Sequence, residues 1–151
     1  MICYRIVRKK YESRPLSGEG ARMYGGRWNS KGTEVVYAAE SLELAMLEML
    51  VHWTHYSLVP EMVWFRFQLP DSDRVPEPVE LPDGWKNPIQ YDSVTQQFGD
   101  QFVQESRSLY ARVPSVLVPT GRNILINPMH VDAGKIQIEV DELDLDPRFV
   151  G

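Results

Sequence analysis

The chain has 151 residues, an ordinary globular composition and one cysteine, Cys3, which predicts one domain spanning 1–151 with no internal disulfide. No apolar run approaches the roughly 20 residues of a membrane span, and Met1 leads into a strand-like ICYRIV without an export-signal layout, so a cytoplasmic protein without membrane contact is expected. Sixteen basic against 21 acidic residues give a net charge of −5, which argues against general nucleic-acid binding.

In chain order, Ile2 to Val7 reads as a strand. Residues 10–33 are loop-rich, with Gly18, Gly20, Gly25, Gly26 and Gly32 among them. Val35 to Ala38 is a short β-branched strand. Ser41 is placed to cap a helix over about 42–53, with Glu43 in its first turn. Glu61 to Leu69 alternates, setting Val63, Phe65, Phe67 and Leu69 on one face and Arg66 and Gln68 on the other. The proline-rich segment 70–90 is a surface connection. A second helix is expected over 93–111, where Val94, Phe98, Phe102 and Leu109 recur at helical spacing. Short strands are expected at Ser115–Val118 and Ile124–Ile126, then a turn at Asn127-Pro128 and a last strand through Ile136, Ile138 and Val140. Strands with two helices and no βαβ rhythm define an α+β fold, a single compact domain with a mixed or antiparallel sheet.

Charge is unevenly spread. Residues 1–31 hold eight Lys/Arg against Glu12 and Glu19, a balance of +6, and the remainder carries −11. A basic pole on an acidic body suits a small anionic ligand better than a long polyanion, although Arg8, Lys9 and Lys10 equally fit a solvated strand end. The loop around Gly26 is not a Walker A motif, because Lys31 precedes Gly32 and a strand follows where a helix is required. Gly18-x-Gly20 lacks the strand–turn–helix frame of a dinucleotide fingerprint. What remains is either a plain turn or a loop whose glycines let backbone approach a ligand, with Arg22 and Arg27 as anion donors. His52, His55 and His130 read as structural or surface residues; no metal-ligand set and no G-x-S-x-G elbow is present.

Glu48 stands out. From 42 to 51 the helix is apolar apart from Glu43 and Glu48, and a helix apolar all round is normally buried. A buried carboxylate must be paired, neutralised or used. It is either one half of an ion pair with an arginine, Arg27 being one candidate, or a functional group.

The stretch GGRWNSKGTEVVYAAESLELAMLEMLVH, Gly25 to His52, resembles the core motif of RES-domain proteins, the toxin half of Xre–RES toxin–antitoxin pairs. Tyr4-Arg5-Ile6 is similar to that family's opening strand, and VPSVLVPTGRNILINPMH, Val113 to His130, to its second motif. The family's Arg, Glu and Ser then match Arg27 or Arg5, Glu48 and Ser115. The resemblance implies a fold similar to ADP-ribosyltransferases and an activity that consumes NAD⁺ by cleaving its nicotinamide–ribose bond, with NAD⁺ as substrate and no cofactor. It implies Arg5 and Arg27 near phosphate or ribose, Tyr37 against nicotinamide, Glu48 at the reacting sugar, and Ser115 donating to ligand. Lys31 and Asn127 are further candidate substrate contacts. Family loops often have proline where Ser30-Lys31 stands here, which leaves Lys31 as an extra phosphate contact. The implied partner is an antitoxin with an Xre-like helix-turn-helix domain, which would carry the DNA contact. Water, phosphate or a protein could accept the ADP-ribosyl group. A specific protein ADP-ribosyltransferase and a non-enzymatic anion-binding or interaction module are the competing readings.

Overall fold

In a computed structural model, which describes residues 1–53 and 60–149, six strands form one sheet in the order β4-β5-β2-β1-β3-β6, with every neighbouring pair antiparallel. The strands are β1 (Ile2–Arg8), β2 (Val36–Ala39), β3 (Met62–Gln68), β4 (Tyr110–Pro114), β5 (Arg122–Ile126) and β6 (Gln137–Glu142). Among the described residues three α-helices accompany them: α1 (Glu19–Tyr24), α2 (Leu42–Leu50) and α3 (Ser93–Glu105). The α+β expectation holds, and the sheet is antiparallel rather than mixed.

Local chemistry sets the boundaries. The Ser41 hydroxyl accepts from Leu44 N at 3.1 Å and starts α2. The Asp92 carboxylate accepts from Val94 N at 2.7 Å and starts α3, and both satisfy donors that a first helical turn leaves open. The expected helix over 93–111 is shorter: Ser106 turns left-handed at φ 49°, ends α3 at Glu105, and frees Tyr110–Pro114 to form β4. Ser115–Val118 is correspondingly not a strand. It belongs to the β4–β5 connection, closed by Ser115 N donating to Gly121 O at 3.0 Å. Helix α1 was not anticipated within the loop-rich 10–33.

The alternation read in β3 holds, with Val63, Phe65, Phe67 and Leu69 all buried. They pack with Cys3, Val36, Ala38, Ile124 and Ile126 on one face of the sheet. On the opposite face, Leu44 and Ala45 of α2 pack with Tyr4, Ile6 and Ala39. Phe102 of α3 packs there with Trp28, Val35 and Leu125. Because Val35, Tyr37 and Ala39 alternate into and along β2, both helices lie on that one face, and a cleft opens there between α2 and the segment running from α1 to Trp28. The sheet is also loosely joined under the cleft. β1 pairs with β3 along its whole length, from Ile2↔Gln68 to Arg8↔Met62, but meets β2 only at Tyr4↔Ala39.

Helix α2 is not buried all round. Leu44 and Ala45 are its buried residues, whereas Leu47 is 46% and Val51 57% exposed. A helix lying on a sheet hides one stripe only, so Glu48, one turn beyond Leu44, is half-buried at the edge of that stripe. The strand expected through Ile136, Ile138 and Val140 is β6, which begins only at Gln137; on the sheet's edge Ile138 and Val140 remain exposed, whereas Ile136, just before the strand, is buried.

The close seating of α3 depends on Gly99: a Cβ there would stand 1.6 Å from Trp28 O. Gly99→Ala should therefore destabilise the fold by about 1–3 kcal/mol through overpacking, despite alanine's better helix propensity. Gly134→Ala, where a Cβ meets nothing within 4 Å, is the control. Denaturant midpoints for the two variants check this, and equal midpoints would contradict the packing.

Candidate functional site

The loop 25–33 is held by a buried amide. Asn29, fully buried, donates through Nδ2 to Ala21 O at 2.8 Å, Ser30 O at 3.1 Å and Thr33 O at 3.1 Å. Its Oδ1 accepts from the Tyr37 hydroxyl at 2.6 Å, and that hydroxyl accepts in turn from Trp28 N at 3.0 Å. Burial pushes the Tyr37 phenol well above its usual range, so it stays a neutral donor. Helix α3 grips the same loop: Thr95 Oγ1 donates to Arg27 O at 2.6 Å, Gln96 Nε2 to Gly26 O at 3.0 Å, and the Asp100 carboxylate accepts from Ser30 N at 2.9 Å. Gly26 is required, since a Cβ would stand 2.8 Å from the Tyr37 hydroxyl. The loop's backbone is clamped, and its residues Gly25 to Trp28 wall a cavity.

That cavity has two lobes, of about 550 and 440 Å³, each within the range of small-molecule sites. Tyr37, Glu48, His52 and Asn123 line both lobes. Arg27 lines the first and Arg5 the second. Neither arginine has a carboxylate partner among the described residues. Arg27 Nη1 donates to Trp85 O and to Asn87 O, the latter at 3.1 Å, with the guanidinium 5.1 Å from the centre of the Tyr91 ring. Arg5 donates to Pro15 O at 2.7 Å and Ser17 O at 2.9 Å. Burial without a counter-ion pushes the Arg5 guanidinium down to about 10, a value at which it is still charged near neutral pH.

Glu48 makes no ion pair among the described residues, so the Arg27 partnership does not form. Instead Oε1 accepts from Ser115 Oγ at 3.1 Å and Asn123 Nδ2 at 2.8 Å. The Ser115 oxygen also accepts from Leu117 N at 3.0 Å and Val118 N at 3.2 Å. With both lone pairs engaged, its one proton goes to Glu48 rather than toward a ligand. Ser115 is thus a positioning residue that ties the β4–β5 connection to α2.

The structure gathers Arg5, Arg27, Tyr37 and Glu48 around one cleft, with Ser115 buried behind Glu48. It does not bring Asn127 or Lys31 there. Asn127 is buried at the end of α3, donating to Ser106 Oγ at 3.1 Å and accepting from Met129 N at 3.0 Å. Lys31, like Arg22, is exposed and lines neither lobe. His52, read as structural or surface, is exposed and borders both lobes, His130 accepts from Asp132 N at 3.1 Å, and His55 lies outside the described residues. Sequence reasoning missed Asn29, Tyr91 and Asn123. The available signal for Asn123 was a lone amide two residues before Leu125 on a strand whose next three residues are apolar.

Comparison with known proteins identifies the family and the fold. The RES domain family model matches residues 2–148. A protein named Toxin Res from Yersinia enterocolitica is 40% identical over 152 residues, covering 99% of each chain. The Prs ADP-ribosylating toxin of a Sphingobium species is 40% identical over 148 residues, covering 94% of this chain and 91% of its own. The crystal structure of the M. tuberculosis MbcT–MbcA toxin–antitoxin complex contains a chain with the same fold, at a TM-score of 0.72 and 21% identity, covering 99% of this chain and 86% of that one. The chain belongs to the RES domain family.

The clamp makes a prediction. Tyr37→Phe keeps the ring but leaves Trp28 N and the Asn29 oxygen without their partner, a loss of about 1–3 kcal/mol in stability. Urea unfolding measures it, and an unchanged midpoint would mean the clamp does not form in solution.

Proposed function

We propose that this chain is the toxin of a toxin–antitoxin pair and that it cleaves NAD⁺ at the nicotinamide–ribose bond, depleting the cytoplasmic pool. The observation that carries the proposal is Glu48, a carboxylate with no cationic partner among the described residues, held at the junction of two lobes. Two adjoining lobes suit a dinucleotide, and two arginines without a carboxylate partner among the described residues suit its diphosphate. Breaking the glycosidic bond develops positive charge on the sugar. A fixed, unpaired carboxylate stabilises that charge more than it stabilises the neutral ground-state ring, which is the condition for lowering the barrier. The Tyr37 ring offers a stacking surface for nicotinamide. NAD⁺ enters as substrate, and no other cofactor is invoked.

A second reading, transfer of ADP-ribose to a specific protein, is favoured by the 40% identity to the Prs ADP-ribosylating toxin. An antitoxin partner follows from the likeness to a chain of a toxin–antitoxin complex. We assign that partner an Xre-like helix-turn-helix domain and the DNA contact, since a chain of net charge −5 has no broad face for phosphates. Carboxylates of the partner could meet Arg5 and Arg27 in the cleft.

Purified protein incubated with NAD⁺, with and without inorganic phosphate, should release nicotinamide. Glu48→Gln should slow that release by about 10²–10³-fold while the protein stays folded. Near-normal turnover in that variant would remove Glu48 from the chemistry. Appearance of a labelled acceptor protein in cell extract, with little free ADP-ribose, would favour the second reading.

A further inference from the structure

The two arginines of the cleft differ in what they leave unspent. Arg5 commits both terminal nitrogens to carbonyls, Nη1 donating to Pro15 O and Nη2 to Ser17 O. Arg27 donates twice from Nη1 alone, to Trp85 O and Asn87 O. Its Nε and Nη2 make no hydrogen bond among the described residues, and neither is sealed from solvent. That edge of a guanidinium presents two parallel N–H groups, the fork that grips two oxygens of a phosphate. The same guanidinium lies 5.1 Å from the centre of the Tyr91 ring. Tyr91 borders the first lobe together with Arg27 and Glu48 and is 37% exposed, so ring surface remains open to a ligand. A cation–π contact alone would account for the ring's position, but not for two bare donors beside it.

We propose that the first lobe is the adenosine subsite, with the ligand's diphosphate on the Nε–Nη2 edge of Arg27 and its adenine stacked on Tyr91. The proposal rests on the NAD⁺ reading above. In that dinucleotide the diphosphate lies between the reacting ribose and the adenosine. With the ribose at Glu48 and the diphosphate at Arg27, the adenosine continues past Arg27, where Tyr91 stands. An aromatic wall suits a purine, since every base offers a π-face to stack. The adenine takes no part in the bond that breaks, so its contact binds ground and transition states alike. Tyr91 is thus a specificity residue and not a catalytic one.

Calorimetric titration of the full chain with ADP and with inorganic diphosphate separates the base from the charge. Native protein should bind ADP more tightly than diphosphate. Tyr91→Ala should weaken ADP binding by about tenfold, the scale of one base–aromatic stack, and leave diphosphate binding unchanged. Arg27→Ala should weaken both. In Tyr91→Ala the KM for NAD⁺ should rise by a factor similar to that for ADP while kcat holds, the pattern of lost uniform binding. Tyr91→Phe, which keeps the ring, should restore both, and Tyr91→Leu serves as a second variant should the alanine protein fail to fold. Equal weakening of ADP and diphosphate in Tyr91→Ala overturns the proposal and leaves Tyr91 only placing Arg27. Unchanged ADP affinity in that variant also overturns it, as does native protein that binds ADP no better than diphosphate. If Tyr91→Ala loses ADP selectively while native protein leaves NAD⁺ intact, the adenosine subsite stands and the cleavage reading falls.

Discussion

The hydrogen bond from the Tyr37 hydroxyl to the carboxamide of the buried Asn29, 2.6 Å long, is the contact on which the cleft depends. It joins strand β2 to the 25–33 loop, and the three other bonds of Asn29 fold that loop onto α1 and onto itself. Helix α3 reaches the same loop through Thr95, Gln96 and Asp100. In a low-dielectric interior such a network is stable only when every member is satisfied. That requirement explains the glycines at 26 and 99, where any side chain would enter the space the network occupies. It also sets the Tyr37 ring on the wall of both lobes, because the hydroxyl is tethered and the ring must follow.

The second constraint is electrostatic. Elsewhere the chain pairs its charges in the usual exposed way, as in Lys9–Glu142 and Arg148–Asp146, contacts that add little to stability. Within the cleft the opposite holds. Arg5 and Arg27 are steadied by carbonyl oxygens, and Glu48 by a hydroxyl and an amide, all neutral partners. Neutral hydrogen bonds fix a charged group's position without cancelling its field. A direct Arg27–Glu48 pair would cancel both fields. Keeping the two signs apart leaves a negative point between two positive ones, a pattern that fits a ligand whose diphosphate is anionic and whose sugar becomes cationic during reaction.

The sheet contributes the space. With β1 and β2 joined only at Tyr4↔Ala39, the strands part on the side where Arg5 and Tyr37 lie, and the second lobe opens between them. The loop after β1 is drawn back by the Arg5 guanidinium, which holds Pro15 O and Ser17 O. One arginine therefore both shapes a lobe and charges it.

Much of this was present in the chain itself. Period-two alternation in β3, the Ser41 cap and the oddity of a carboxylate among Leu and Met at 47–50 are local signals, each readable from a few neighbouring residues, and the resemblance of three ordered blocks pointed to Arg5, Arg27, Tyr37, Glu48 and Ser115. The sequence could not say that α3 stops at Glu105, because a left-handed Ser106 is chosen by the packing of β4 against β5 and not by serine's own preference. Nor could it separate Asn123 from Asn127: both are amides in the same short block, and only strand register decides that the first faces Glu48 while the second closes the end of α3. Glu48's freedom from Arg27 was likewise undecided until the fold placed Trp85 and Asn87, some 60 residues further on, against the guanidinium. Local periodicity determines which residues form an element and which face they share; the partner of a charge is settled by contacts between segments far apart in the chain, which only the tertiary structure brings together.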